Sequence, residues 1–178
     1  MLPGPLLAPL LIAAPAAAPV SERSSTSSTV ERNQATVGEL PVLQIATDDD
    51  QRLLAEWAQP TPPTTKERIE RNKPIHTFLA VGGCRRDEAG QCDVTASFEV
   101  LDPDGAIYAR QADAVVLKGP APEPAANLLL SQSSLALIVE DGEKLGYYLV
   151  KAEVIDRNAK LTARTELKIS VVEARAEK

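Results

Sequence analysis

Hydrophobic and polar positions change their spacing along the chain. Up to about residue 38 they show no regular period, whereas after Pro74 short runs with a two-residue alternation follow one another. Cys92–Leu101 and Leu161–Val172 are the clearest cases, and such alternation is typical of strands that bury one face. Shorter strand-like runs are Ile75–Val81, Ala106–Arg110, Ala114–Lys118, Leu128–Leu130, Leu135–Val139 and Tyr147–Ile155.

These runs predict about seven short strands over residues 74–173. Ala106–Arg110 and Ala114–Lys118 form either one interrupted strand or two short ones. Turn residues separate the runs, as in Asp102–Gly105 and in Asp156–Lys160, which joins the last two strands as a hairpin. Because no helical pattern lies between the strands, we expect an all-β fold, an antiparallel β-sandwich.

A short amphipathic helix is predicted over residues 51–58, before the proline-rich connector. Thr47 and the aspartates Asp48–Asp50 precede it, and such residues cap a helix and match its dipole. The same aspartates are a weaker candidate for a calcium site, since such sites alternate carboxylates with other residues and add a distant ligand. The buried face is expected to hold Leu53, Leu54 and Trp57.

The front of the chain resembles an export signal. Residues 1–18 contain an apolar run, from Leu6, that ends in small residues, as a cleavable leader does. No Lys or Arg precedes the run, so the signal is weak or its start lies upstream. The alternative is an Ala- and Pro-rich tail on a cytosolic protein. Its prolines disfavour a stable membrane-spanning helix.

The rest of the chain divides by composition. Residues 19–38 are rich in Ser and Thr and predict a disordered linker. Residues 39–73 predict a helical and proline-rich N-terminal extension, with one more helical turn near Thr64–Arg68. The sandwich then occupies residues 74–173, and residues 174–178 form a charged tail.

Composition narrows the class of partner. Of the 178 residues 44 % are hydrophobic but only 3 % aromatic, and the net charge is −6 at pH 7. The alanine- and leucine-rich leader raises the hydrophobic fraction but adds no aromatic residue. Because aromatic residues are scarce, the core of the domain is expected to be aliphatic. An acidic chain has no electrostatic attraction to nucleic acid, which we therefore do not expect as a partner.

Gly146–Ala152 carries a family resemblance. It is similar to the strand-F pattern Gly-x-Tyr-x-Cys-x-Ala of immunoglobulin-fold domains, with Val150 in place of the cysteine. Tyr148 then resembles the tyrosine of the corner motif, with its ring at the core and its hydroxyl bonded to nearby backbone. Lys144 departs from the pattern, because an acidic residue usually stands there.

A longer stretch resembles proteobacterial secreted proteins with Ig-like domains. The matching segments are Gly82–Cys84, Cys92–Val94 and Leu101–Gly105, followed by the glycine and tyrosine of the strand-F pattern. The resemblance covers residues 74–173. Its motifs are structural, so it implies a fold and no activity.

Cys84 and Cys92 are the most specific chemical feature. They flank a loop with Gly90 between two strand-like runs, and a hairpin there would bring their Cβ atoms close enough for a disulfide. In an exported protein a bridge is the expected fate of an isolated pair. A metal site with His76 is the weaker alternative, as no fourth ligand of matching type is evident. Redox catalysis normally needs a closer pair.

Enzyme chemistry lacks its usual residues. The one histidine, His76, lies in a predicted strand, and neither a Gly-x-Ser-x-Gly elbow nor a glycine-rich phosphate loop is present. No spacing singles out a pair of carboxylates. Tyr147 is the one obvious aromatic platform for a sugar. Arg85 and Arg86 in the cysteine loop are candidates for partner recognition, although such charged tips are often merely solvated.

We therefore predict a non-catalytic, periplasmic or secreted Ig-like module with no cofactor and no metal. It would act as an accessory protein that binds another envelope protein through a sheet edge or a loop. The competing class is a secreted ligand-binding protein or hydrolase. A pocket that unites His76 with a buried carboxylate and a Ser or Thr hydroxyl would favour that class.

Overall fold

The computed structural model describes residues 34–37, 40–59, 63–82, 84–121 and 128–174. The expected leader, most of the expected linker and all but the first residue of the expected tail lie outside these ranges. The described elements are, in chain order, β1 (Gln34–Val37), β2 (Leu40–Thr47), α1 (Asp50–Trp57), β3 (Arg68–Glu70), β4 (Pro74–Val81), β5 (Gln91–Leu101), β6 (Ile107–Pro120), β7 (Leu129–Leu130), β8 (Leu135–Ile138), β9 (Gly146–Asp156) and β10 (Leu161–Val172).

The strands form two facing sheets. One has the order β1-β2-β4, with β7 and β8 both pairing with the far side of β4. The other has the order β3-β10-β9-β5-β6, in which β3 runs parallel to β10 and all other pairs are antiparallel. The neighbours β10, β9, β5 and β6 match the order of strands G, F, C and C′ in an immunoglobulin sandwich. The expected fold class is confirmed.

The core lies between the sheets and is mainly aliphatic. Alternate residues of β5, β9 and β10 point inward, so each strand has one buried and one partly exposed face. They pack against residues of β2 and β4, such as Leu40, Val42 and Leu79. Fully burying one such side chain stabilises the fold by about 1.5–3 kcal/mol, so this layer holds the sheets together.

All seven expected strands are present as β4–β10. Ala106–Arg110 and Ala114–Lys118 prove to be parts of a single strand, β6, whose pairing with β5 shifts register three times. The predicted hairpin also forms, because β9 ends at Asp156 and β10 begins at Leu161. The aliphatic alternation was sufficient to locate these strands.

The sandwich begins earlier than residue 74, which corrects the expected division of the chain. Strand β1 lies inside the expected linker 19–38, and β2 and β3 lie inside the expected extension 39–73. Strand β2 shows no alternation because the core covers one of its faces and α1 covers the other. The expected helical turn near Thr64–Arg68 is wrong, because residues 64–67 form neither helix nor strand; β3 begins at Arg68 and is held by pairing with β10.

The helix α1 occurs where the sequence predicts it. Asp49 is its N-cap, and its carboxylate accepts a hydrogen bond of 2.9 Å from the backbone N–H of Arg52. Leu53 is fully buried against Ile45 and Phe78. The expectation that Leu54 is buried with Leu53 is wrong, since Leu54 is 46 % exposed. Successive residues of a helix are about 100° apart around its axis, so Leu54 points away from the core that Leu53 enters.

Candidate functional site

Cys84 and Cys92 form the predicted disulfide, with their Cα atoms 5.9 Å apart. The expected hairpin between β4 and β5 is wrong, because these strands belong to different sheets. The loop instead crosses from one sheet to the other and closes by a hydrogen bond of 2.9 Å from the N–H of Asp87 to the carbonyl of Gln91. The bridge therefore ties the two sheets at one end of the sandwich.

A buried carboxylate fastens this loop to the β9–β10 turn. Asp156 is 1 % exposed, and it accepts hydrogen bonds from the backbone N–H groups of Arg85 at 2.6 Å and of Asn158 and Ala159 at 3.0 Å. The side-chain amide of Asn158 donates in return to the carbonyls of Arg85 and Gln91, both at 3.0 Å. Loop and turn are thus one rigid surface.

We call this surface the tip, defined as residues 85–89 and 157–160. All five residues of its first segment are exposed, as are Arg157 and Lys160 of the second. Arg157 pairs with Asp113 of β6 at 3.1 Å. The predicted candidates Arg85 and Arg86 are therefore exposed residues on a scaffold that a disulfide and five side-chain hydrogen bonds hold in place.

His76 lies in a different place, beside the start of α1. It borders an open groove of about 330 Å³ together with the aspartates Asp48–Asp50, Arg52, Lys66 and Lys73. Asp48 pairs with Lys66 at 2.5 Å, and Asp49 is committed to capping the helix. Within the described residues, no cluster of three His, Cys, Asp or Glu side chains is arranged to hold a metal ion.

The groove supplies only part of what a hydrolase would need. It unites His76 with carboxylates, but no Ser or Thr is among the residues that line it. Thr47 lies opposite His76 in the strand register and carries a hydroxyl. Thr47 is fully buried, and its hydroxyl oxygen accepts a hydrogen bond of 3.1 Å from the N–H of Asp49. That hydroxyl therefore serves the turn before the helix.

Tyr148 occupies the opposite end of the sandwich from the tip. It is 2 % exposed, and its hydroxyl donates a hydrogen bond of 2.8 Å to the carbonyl of Lys144, as the corner motif implies. Its ring meets that of Tyr108 edge to face at 5.2 Å. Burial and the 2.8 Å hydrogen bond to the Glu143 carboxylate raise the pKa of Tyr108 far above the ordinary value. Tyr108 is therefore a neutral donor.

An ion cluster closes the same end. Lys144 lies 2.7 Å from Asp102 and 2.6 Å from Asp104. Its hydrogen bond to Asp102, followed by that to Asp104, raises the pKa of Lys144, and the same ammonium group lowers the pKa of Asp102. Lys144, the residue that departs from the immunoglobulin pattern, therefore stabilises the β5–β6 turn through these two ion pairs.

An exposed apolar surface also lies at this end, and sequence reasoning missed it. It comprises Ile107 and Tyr147, which are 52 % and 59 % exposed, and the half-buried Leu101 and Leu149, all on the outer face of the five-stranded sheet. We call it the apolar corner. Part of this surface could have been predicted from β9, because Tyr147 and Leu149 fall on the outward side of its alternation. The other residues of the surface are far from these two in sequence, so no local pattern links them.

The remaining outer face of the five-stranded sheet is charged and internally paired. Arg110 binds Glu99 at 2.7 Å, and Arg164 binds Glu153 at 2.6 Å. These pairs flank an open groove of about 380 Å³. Exposed pairs of this kind contribute little stability, so they mark a solvated surface.

Most sheet edges are short or irregular in the part of the chain that the structure describes, but β3 covers β10 only at Ser170–Val172, so residues 161–169 of β10 also lie at an edge. The edge strands β1, β3, β7 and β8 have two to four residues each. The long edge strand β6 carries three register shifts, and its Asp113 has a φ of 52°. Bulges and short strands prevent the pairing of an edge with another chain.

No family model and no curated protein matches the chain. Solved structures with a similar fold include a Niemann-Pick type C2 protein from the Japanese carpenter ant (11 % identity, TM-score 0.41), covering 72 % of this chain and 89 % of that one. The CARDB domain of a Pyrococcus furiosus protein, solved with di-metal ions, is also similar, at 14 % identity and a TM-score of 0.37. That match covers 78 % of this chain and 100 % of the CARDB domain. These scores are too low to carry a functional argument.

A third similar structure is a family 123 glycoside hydrolase from Clostridium perfringens (8 % identity, TM-score 0.37). The match covers 75 % of this chain but only 28 % of the hydrolase. In the described ranges of the present chain, no helix is long and apolar enough to cross a membrane.

Proposed function

We propose that the protein is a non-catalytic accessory module, exported to the periplasm or beyond, that binds another envelope protein through its tip. The main support for this proposal is that hydrogen bonds of Asp156 and Asn158 fix the disulfide loop to the β9–β10 turn. A surface that is already ordered loses little conformational freedom on binding, and this favours recognition.

The structure favours a loop over a sheet edge as the binding element. Strand addition needs a flat edge with free backbone groups, and β6 is bulged while β1, β3, β7 and β8 are short. The edge of β10 that β3 leaves uncovered, residues 161–169, carries the exposed charged side chains of Arg164, Glu166 and Lys168, and such charges disfavour pairing with another chain. Loops on a rigid sandwich are the common alternative, and in variable domains the B–C and F–G loops lie together at one end. The tip corresponds to those two loops.

Two observations support export. The disulfide is expected to persist in an oxidising compartment, and the apolar run at residues 1–18 resembles a cleavable leader. The hydrolase alternative receives less support, because no hydroxyl lines the groove beside His76.

The test compares two charge reversals in pull-downs from envelope extracts. Arg85→Glu changes an exposed tip side chain, and we expect it to lose partners that the wild-type protein retains. Arg164→Glu is the matched control, because it makes the same reversal on the outer sheet face.

The outcomes distinguish a wrong binding surface from a wrong function. Retention of the same partners by Arg85→Glu, or loss of them by Arg164→Glu, would refute recognition through the tip. Repeated failure of the wild-type protein to retain any partner would count against the interaction module itself.

A further inference from the structure

Cationic residues are concentrated on the tip. Its nine residues hold four of the chain's 19 lysines and arginines but only two of its 25 aspartates and glutamates. The cations are Arg85, Arg86, Arg157 and Lys160, and all four residues are exposed. Because the chain as a whole has a net charge of −6, the tip differs in sign from the rest of the molecule. A local field of this kind attracts anionic groups that the rest of the surface repels.

The backbone that carries two of these cations is fixed. The N–H of Arg85 donates to the carboxylate of Asp156 at 2.6 Å, and its carbonyl accepts a hydrogen bond of 3.0 Å from the side-chain amide of Asn158. Arg157 lies between these two anchoring residues, and its own N–H donates to the carbonyl of Asp93 at 2.9 Å. The two guanidinium groups therefore extend from neighbouring backbone segments whose positions are set before a partner arrives.

One of the tip cations already binds a carboxylate. The guanidinium group of Arg157 lies 3.1 Å from the carboxylate of Asp113, whose side chain is 80 % exposed. Asp113 stands where β6 shifts register, and its φ of 52° is a left-handed conformation that aspartate and asparagine adopt more readily than most residues. Exposed pairs of this kind are weak, so a carboxylate of another protein can replace Asp113.

The acidic side chain of Asp87 shapes its own loop. Its carboxylate accepts hydrogen bonds from the backbone N–H groups of Ala89 at 2.9 Å and of Gln91 at 2.8 Å. Glu88 is the second acidic residue of the tip. The tip therefore keeps an excess of cations over anions on an ordered loop.

We propose that the tip binds an acidic segment of its protein partner, whose aspartate or glutamate side chains pair with Arg85, Arg157 and Lys160. A guanidinium group presents N–H donors in a plane that matches a carboxylate, so arginine suits such contacts. This role rests on the proposed function, since it specifies the chemistry that the tip recognises. A surface of anionic lipid fits less well, because its charge would also face the acidic remainder of the molecule.

The first test measures the binding of fluorescein-labelled peptides to the purified protein by fluorescence anisotropy. A peptide of alternating glutamate and glycine should bind more tightly than its glutamine analogue, and about 0.5 M salt should weaken that binding. Arg85→Gln and Lys160→Gln should each raise the Kd for the glutamate peptide about two- to five-fold. Arg164→Gln is the matched control and should leave the Kd unchanged, because it removes the same charge from the outer sheet face.

The second test removes the carboxylate that competes for Arg157. Asp113→Asn keeps a residue suited to the left-handed conformation and frees the guanidinium group, so it should lower the Kd for the glutamate peptide about two-fold. Glu153→Gln is its control, because it frees Arg164 on the sheet face instead and should not tighten binding. Circular dichroism melts confirm that every variant is folded.

Three results would overturn the acidic segment as the ligand of the tip. They are equal affinity for the two peptides, equal effects of Arg85→Gln and Arg164→Gln, and a Kd that Asp113→Asn leaves unchanged. Binding to phosphatidylglycerol vesicles without binding to the glutamate peptide would overturn it in favour of a membrane surface.

A wrong partner chemistry is distinguishable from a wrong function. Partners that the protein retains from envelope extracts through Arg85, and that the glutamate peptide does not displace, would overturn the acidic segment and leave the proposed function standing. Tip-dependent binding of the glutamate peptide with no retained partner would support recognition of carboxylates and count against the envelope partner.

Discussion

Two adjacent tyrosines illustrate how alternation assigns different roles to identical side chains. Tyr148 points into the core and donates its hydroxyl to the carbonyl of Lys144, whereas Tyr147 is 59 % exposed. The sequence pattern around Gly146 was sufficient to assign both orientations, because successive residues of a strand face opposite sides. The hydroxyl of Tyr148 thus has a structural role.

We expect Tyr148→Phe to lower the free energy of unfolding by about 1 kcal/mol. The change removes the donor of a hydrogen bond inside the fold and leaves the Lys144 carbonyl without it. Chemical denaturation measures the difference. Tyr147→Phe is the control and should be close to neutral, so a comparable loss there would show that the corner hydrogen bond is not the cause.

A pH dependence is expected from the pair formed by Asp102 and Lys144. The folded pKa of Asp102 lies below its ordinary value, so its ion pair stabilises the protein above that value and is lost as the pH falls through the folded pKa. Asp102→Asn should therefore be less stable than the wild-type protein near neutral pH, and the difference should vanish in acid.

Melting temperatures of both proteins between neutral and acidic pH check this sign. The pair is at the surface, so about 1 M salt should shrink the neutral-pH difference. A gap that widens as the pH falls would contradict the assignment of the ion pair.

At the scale of elements, the loop between β4 and β5 depends on a distant turn. The sequence predicted its disulfide, because two isolated cysteines flank a short loop. It contained no sign that Asp156, more than 60 residues later, would accept the N–H of Arg85. Strand β2 is a second example, since cover on both faces removed the alternation by which strands are recognised.

We expect Asp156→Ala to destabilise the protein by about 2–3 kcal/mol. Three backbone N–H groups at the tip lose their acceptor, and the carboxylate is buried. Asp113→Ala removes an exposed ion pair with Arg157 and should cost less than about 1 kcal/mol. Urea denaturation of the two variants distinguishes them, and equal losses would mean that Asp156 does not anchor the loop.

At the scale of the whole molecule, the segment before residue 74 is part of the sandwich. Strand β2 pairs with β4 over six residues, from Val42 opposite Val81 to Thr47 opposite His76. It also covers the core with Leu40 and Val42. Without it, β4 would have an open edge and the core would face water.

We therefore expect a fragment of residues 74–178 to lack cooperative unfolding, whereas a fragment of residues 34–178 should unfold in one transition. Circular dichroism and calorimetry of both fragments measure this. A cooperative transition in the shorter fragment would show that the sandwich is complete from residue 74 after all.

The sequence by itself determined the seven strands β4–β10, the capped start of α1, the disulfide and the orientation of Tyr148. Each of these depends on a period, a cap or a spacing within about a dozen residues. Only the tertiary structure decided that β1, β2 and β3 join the sheets and that the cysteine loop crosses between them. It alone brought Leu101, Ile107 and Leu149 side by side on one sheet face, because strand pairing joins residues whose separation along the chain leaves no local pattern.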